Sequence, residues 1–107
     1  MSNSRFEQRR LELHELLVKI LGSRNVYYQP PESVRMNYPA IKYSRDDIQN
    51  TFANNNVYMQ QHAYEITVID EDPDSEIVNK ISKLPTARFE RHFTSDDLNH
   101  DVYQIFY

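Results

Sequence analysis

The stretch YEITVIDEDPDSEIVNKISKLPTARFERHFTSDDLNHDVYQIFY, residues 64–107, decides the fold. It begins with alternating apolar and polar residues, in which Tyr64, Ile66 and Val68 share one face, as is typical of a half-buried strand. An apolar pattern at helical spacing follows, and then two segments rich in aromatic and β-branched residues. The stretch therefore predicts a strand, a helix, a strand, a turn and a final strand.

The helix of this stretch is predicted to start at Asp72, which would cap it with Pro73 at the first helical position. Pro85 would end the helix, because proline cannot continue one. The apolar residues between them recur at helical spacing and predict a buried stripe. This stripe consists of Ile77, Val78, Ile81 and Leu84.

Two more strands are predicted to complete the stretch. Residues 87–93 form the fourth strand, and the alternation along it places Phe89 and Phe93 on its inner face. Residues 94–100 are predicted to turn the chain, and residues 102–107 to form the fifth strand.

The first half of the chain predicts one long helix and two strands. Leucine and isoleucine recur at helical spacing over residues 5–21, and Gly22 supplies the left-handed residue that commonly ends such a helix. His14 is expected to be exposed on this helix. Residues 25–29 and 40–45 are predicted strands.

A segment rich in Asp and Asn separates the second strand from the third. The third strand is predicted over residues 57–70, and residues 46–56 are expected to form a long hairpin tip, because Asp and Asn favour turns. The whole chain, residues 1–107, is therefore predicted to be one α+β domain with flexible residues 1–4. Its order is α-β-β-β-α-β-β, with two helices packed on one face of an antiparallel or mixed sheet.

The composition excludes several classes of function. The formal net charge of −4 argues against direct DNA binding, and the absence of Cys excludes disulfides and thiolate chemistry. A single Gly leaves no room for the common phosphate-binding loops. No apolar run approaches the ~18 residues of a membrane span, so a soluble protein is expected.

Two acidic clusters could carry chemistry, and each also has a structural explanation. Residues 70–74 could bind a metal through oxygen ligands, although helix capping and solvation explain the same carboxylates. Residues 96–101, with His92, could supply a His–carboxylate acid–base pair, although a turn between strands explains them too. We predict no catalytic, cofactor or metal site and no enzyme; a small hydrolase or metal-dependent enzyme using either cluster is the alternative.

Six segments of the chain form a recognisable pattern. They are LGSRNVYYQPP (21–31), YPAIKY (38–43), YEITVIDEDPDSEI (64–77), LP (84–85), FERHF (89–93) and DLNHDVY (97–103). In this pattern the chain resembles the small phage neck proteins known as tail terminator, tail completion or head–tail joining proteins. Residues 1–10 depart from it. The order of elements agrees with the tail terminator fold.

The resemblance implies a structural virion protein, made in the host cytoplasm. It would form a ring, typically a hexamer, that caps the head-proximal end of the tail tube, stops tube polymerisation and joins the tail to the head. Its partners would be other copies, the tail tube protein and head completion or connector proteins. DNA would pass through the lumen without specific binding, and no membrane would be involved.

Candidate protein contacts follow from this interpretation. They are Asp46, Asp47, Ile48, Asn50 and Phe52 on the predicted hairpin tip, and Glu90, Arg91, His92, Asp96 and Asp97 in the fourth strand and the following turn. Solvated charges and cross-strand pairs would explain the same residues. Two alternative functions stay open: a head-side connector or stopper, and an adaptor domain that binds a peptide along a sheet edge.

Overall fold

Seven elements follow one another along the chain in the order α-β-β-β-α-β-β. The computed structural model describes residues 5–53 and 56–107, and side chains outside residues 49–60. The predicted α+β class and element order are confirmed, whereas the expected flexibility of residues 1–4 falls outside the described residues. The elements are α1 Arg5–Leu21, β1 Val26–Tyr28, β2 Ala40–Ala53, β3 Asn56–Asp70, α2 Glu76–Ser82, β4 Arg88–Ser95 and β5 Leu98–Phe106.

The five strands form one mixed sheet in the order β1-β2-β3-β5-β4. β1 runs parallel to β2, and the other neighbours are antiparallel. A parallel pair needs a crossover connection, and residues 29–39 supply a short one. Pro31 and Met36 of this connector line a groove together with Lys42 and Glu65 of the sheet.

The hydrophobic core lies between the two helices and one face of the sheet, as predicted. Leu13 and Leu17 of α1 and Ile81 of α2 are fully buried there. They pack in one cluster with side chains of β2, β3 and β5, including Tyr43, Ile66 and Tyr103. α1 ends as expected at Gly22, whose φ is 82° and whose N–H donates to the Val18 carbonyl at 2.9 Å.

The centre of the sheet is buried on its other face as well. Thr67, on the face opposite Ile66, is only 3% exposed, and Ile69 on the same face is also buried. Thr67 lines the groove together with Pro31 and Met36, so the connector lies beside this part of the sheet. Both faces of β3 are therefore covered at its centre, in keeping with its position in the middle of the sheet.

The prediction of a long hairpin tip over residues 46–56 is wrong for residues 46–53 and 56, which lie in strands, and residues 54 and 55 fall outside the described residues. β2 continues to Ala53 and β3 begins at Asn56, and the two strands stay paired from Asp47↔Ala63 to Ala53↔Asn56. A bulge between Arg45 and Asp47 shifts the register but does not end the pairing. Turn-prone residues were overridden here by continuous backbone hydrogen bonding, which is a tertiary effect.

The predicted start of α2 is also wrong. The helix begins at Glu76, and Ser75 caps it by accepting the Ile77 N–H at 3.3 Å. Before it, the Asp70 carboxylate accepts the N–H of Asp72, and the Asp72 carboxylate accepts the N–H of residue 74. These side-chain turns hold the backbone out of the helical conformation until Ser75.

His14 is half-buried, contrary to the prediction of an exposed residue. Its Nδ1 lies 2.7 Å from the Tyr43 hydroxyl in the core beneath α1. Burial lowers the pKa of His14, with Arg24 and Arg10 acting in the same direction and Glu15 opposing them. The imidazole lies inward because it contacts Tyr43 on β2. The helical pattern alone does not predict this contact.

Candidate functional site

The most exposed regular element of the described chain is β4, the edge strand. It pairs with β5 on one side and ends the sheet order on the other, and all eight of its residues are exposed. The backbone N–H and C=O groups on an outer strand edge are a template for pairing with another chain. A strand of this kind is therefore a candidate interaction surface.

A bulge changes which faces of the edge strand carry its aromatic side chains. The register shifts between Phe89 and Arg91, so one extra residue enters β4 at this point. Phe89 then contacts Tyr103 on the helix side of the sheet, and Phe93 stacks on His100 on the other side. The prediction that both phenylalanines face inward is therefore wrong for Phe93, which lies on the opposite face. Neither ring is buried, since Phe89 is 52% and Phe93 41% exposed.

The charged candidates of β4 lie side by side along the exposed strand. The Arg91 guanidinium is 3.8 Å from the Glu90 carboxylate and 6.0 Å from the centre of the Phe93 ring. His92 lies 2.8 Å from the Asp101 carboxylate through Nδ1, which makes it a cross-strand pair with its register partner. Surface pairs such as Arg91 with Glu90 contribute little to stability. The Arg91 side chain is 55% exposed, so its charge is available to a partner.

Asp96 and Asp97 occupy the two-residue turn between β4 and β5. Both have positive φ, 53° and 63°, and Ser95 pairs with Leu98 across them. Two consecutive residues of positive φ define the tight hairpin turn that fits the twist of its strands. The predicted turn over residues 94–100 is therefore too long, and a backbone requirement accounts for these two aspartates.

The other group of candidates lies on the ribbon and at its base; we define the ribbon as residues 48–53 of β2 paired with residues 56–62 of β3. The described pairing of β5 with β3 starts at Ala63, and β1 pairs only with Ile41–Tyr43 of β2. The ribbon is thus a two-stranded extension of the sheet, about 20 Å long for seven residues. The outer edge of β2 has no strand beside it there among the described residues.

The described candidates at the base of the ribbon are polar or exposed. Asp46, at the bulge, accepts a hydrogen bond from the Gln104 amide at 3.0 Å, and Asp47 accepts the Ile48 N–H at 2.8 Å. Ile48 is 41% exposed. Asn50 and Phe52 pair through their backbones with Gln60 and Val57, and their side chains fall outside the described residues.

The structure does not bring all the predicted contacts together. The ribbon extends the β2–β3 pair, and β4 lies across β5 from it at the sheet edge. The turn at Asp96 lies at the far end of the sheet from the ribbon, since β5 begins there and reaches Ala63 only at Phe106. Two separate surfaces result, one on β4 and one on the ribbon.

The acidic clusters do not converge on a metal site among the described residues. No group of three or more His, Asp and Glu side chains there could hold a metal ion. Asp70 and Asp72 accept backbone N–H groups, and the Asn99 amide donates to the carbonyls of residues 70 and 71. The carboxylates of Asp70 and Asp72 therefore organise the loop before α2.

Sequence reasoning missed a small pocket between α1 and the sheet, with a volume of about 150 Å³. His62 lines it, is 5% exposed and stacks on Phe6 with ring centroids 4.2 Å apart. Arg10 and Arg45 also line it, from α1 and β2. Arg10, Arg45 and His62 are 17 or more positions apart in the chain. Only an Arg on the inner side of an amphipathic helix could have indicated the pocket.

A scan against models of known protein families returns no match to this chain. A search of curated proteins returns no match either. Within the described residues, neither helix has the length and apolar character needed to cross a membrane.

Proposed function

We propose that this protein is a structural component of a phage neck, a tail terminator that assembles into a ring on the head-proximal end of the tail tube. One observation carries the proposal: the edge strand β4 is exposed along its whole length and ends the sheet. The resemblance of six sequence segments to phage neck proteins is the reason for proposing a ring on the tail tube rather than another assembly.

A ring needs two different surfaces on each copy, because head-to-tail contacts join one patch to another. The edge strand is the first of these surfaces, and the outer edge of the ribbon is the second. Joining β4 of one copy to the ribbon of the next would continue the sheet around the ring. Such contacts close only if the rotation between copies suits a ring.

The charges on β4 and at the base of the ribbon are complementary. The described charged side chains from Arg88 to His92 sum to about +1 with neutral histidine, from two Arg and one Glu. The base of the ribbon carries Asp46 and Asp47 beside Arg45, which sum to −1. Complementary charges favour the intended partner and disfavour like-with-like pairing. The overall charge of −4 is also compatible with DNA passing through the lumen without being held.

The deciding measurement is the mass of the purified protein, alone and mixed with its tail tube protein, by light scattering after gel filtration. We expect a ring of several copies, alone or on the tube. A monomer under both conditions would contradict the tail terminator function. Binding to head completion proteins without binding to the tube would instead support a head-side connector.

A charge reversal tests the contact surface. Arg91→Glu should reduce the ring mass or the binding to the tube, because Arg91 is exposed in the centre of β4. Arg35→Glu, an exposed position on the connector, is the matched control and should assemble normally. Circular dichroism should show that both variants keep the fold. Equal assembly of the two variants would show that Arg91 does not contribute to the interface.

The open edge of β4 also favours a second function, a peptide-binding adaptor. An extended peptide can add a strand to such an edge, with side chains contacting Phe89 and Phe93 on the two faces. This function predicts a monomer that binds one peptide at saturation. A stable closed ring that buries β4 would contradict it.

A further inference from the structure

The pocket between α1 and the sheet places two guanidinium groups beside a buried imidazole. Arg10 reaches it from α1, Arg45 from β2 and His62 from β3, and Tyr64 lies at its inner side, 2% exposed. The Arg10 guanidinium is held by stacking over the Tyr28 ring, 4.2 Å from its centre. Stacking on an aromatic face fixes an arginine without consuming its in-plane donors.

His62 has a polar atom without a partner. His62 is only 5% exposed, and no described protein group forms a hydrogen bond with its Nε2. A buried polar atom without a hydrogen bond costs free energy, and such an atom calls for an explanation. An imidazole nitrogen can donate a hydrogen bond when it carries the proton.

The charges around the pocket have a positive sum. Arg10 and Arg45 contribute two positive charges, and the Glu7 carboxylate, which also lines the pocket, contributes one negative charge. Tyr28, Tyr64 and a neutral His62 leave this sum at +1. Arginine forks are suited to the oxygens of tetrahedral oxyanions.

We propose that this pocket binds a free small oxyanion of the sulfate or phosphate type, held by Arg10, Arg45 and the Nε2 of His62. The volume of about 150 Å³ admits one such ion. A pocket of this volume holds one small ion and is too small for the chain of a nucleic acid or a protein. The site lies apart from β4 but adjoins the base of the ribbon, and binding of the ion does not require the proposed ring.

The test is a titration of the isotope-labelled protein with sodium sulfate against sodium chloride at matched ionic strength, followed by NMR. Sulfate keeps its charge over the pH range used, which separates protein titration from ligand titration. We expect saturable shifts confined to the His62 imidazole and the Arg10 and Arg45 side chains. Shifts that are linear in sulfate, or spread over other surfaces, would overturn the proposal.

Variants distinguish a site from general salt binding. Arg45→Gln should weaken sulfate binding about tenfold or more, because one charge-assisted contact is lost. Arg35→Gln removes the same charge outside the pocket and should bind as the wild type does. Equal affinity in these two variants would overturn the proposal. Backbone amide spectra show whether each variant is folded.

Further changes test how sulfate binding depends on the charge of the pocket and on pH. Glu7→Gln removes the opposing carboxylate and should tighten sulfate binding. Lowering the pH from 8 to 6 should also tighten it, because a bound anion favours the protonated imidazole, and His62→Gln should abolish that pH dependence. Phosphate should compete with sulfate at pH 8. Binding that is independent of pH in the wild type would exclude His62 from the site.

Discussion

Phe89 and Phe93 lie four residues apart in β4 and point to opposite faces of the sheet. The Phe89 ring meets Tyr103 edge-on at 5.4 Å, and the Phe93 ring stacks on His100 at 4.6 Å. The bulge between Phe89 and Arg91 inserts the residue that reverses the alternation. A chain that pairs with β4 would therefore meet an aromatic ring on each side.

Removing either ring should weaken association. We expect Phe89→Ala and Phe93→Ala each to reduce assembly or tube binding measured by light scattering, because a strand added at β4 would cover both rings. Leu11→Ala is the control, since Leu11 is 43% exposed on α1 and lies on neither surface. Unchanged assembly in both phenylalanine variants would contradict pairing at β4.

The Tyr103 hydroxyl connects β5 to α2 through hydrogen bonds, and these should contribute measurably to the free energy of unfolding. It lies 2.8 Å from the Ser82 hydroxyl and donates to the Val78 carbonyl at 3.3 Å. Tyr103→Phe should lower the free energy of unfolding by about 1 kcal/mol, measured by urea denaturation.

A double-mutant cycle isolates this bond. Ser82→Ala should also destabilise the protein, and the two changes together should cost less than their sum, because they remove the same hydrogen bond. Strict additivity of the two effects would show that the hydroxyls do not interact in solution.

Gly22→Ala should destabilise the protein by about 1 kcal/mol through backbone strain. The φ of Gly22 is 82°, and a Cβ added there would meet no atom within 4 Å, so no clash contributes. Gly22→Asn should cost less, since Asn tolerates the left-handed conformation better than Ala. Thermal or urea unfolding measures both, and an Ala variant as stable as the wild type would contradict the left-handed end of α1.

Stability should fall as the pH drops below about 6.5. The pKa values of His14 and His62 are both lowered from 6.5, chiefly by burial. The unfolded chain therefore takes up protons first as the pH falls, and it gains stability relative to the fold. The contribution is fully present above about pH 6.5 and is lost between that value and the lowered pKa values.

Urea midpoints from pH 8 to pH 5.5 measure this effect, in a range where the lowered pKa of Glu15 has no influence. His14→Gln and His62→Gln should each reduce the slope, and the double variant should flatten it further. The Gln at position 14 also loses the bond to Tyr43, so its stability should be lower at every pH. A wild-type stability that is constant from pH 8 to 5.5 would contradict the burial of both imidazoles.

Local signals predicted the order of the elements. The apolar spacing from Leu13 to Leu21 located α1, Gly22 located its end, and the alternation at Tyr64–Val68 located the centre of β3. The errors arose where two signals competed. Asp72 and Ser75 can both cap a helix, and only the side-chain turns formed by Asp70 and Asp72 decided in favour of Ser75.

The candidate sites were less accessible to sequence reasoning. The predicted contacts on β4 lie on one exposed strand, yet the bulge that separates its aromatic rings has no mark in the sequence. The pocket beside His62 was missed because its arginines come from two elements that meet only in the fold.

By itself the sequence determined the class of the domain, the identity of its helices and the positions that form the core, because these follow from local periodicity and chain punctuation. The tertiary structure decided how far β2 and β3 extend, which faces of β4 carry its rings and which charges meet at His62. Those features depend on backbone pairing and side-chain contacts between segments far apart in the chain, and neither is encoded in a local pattern.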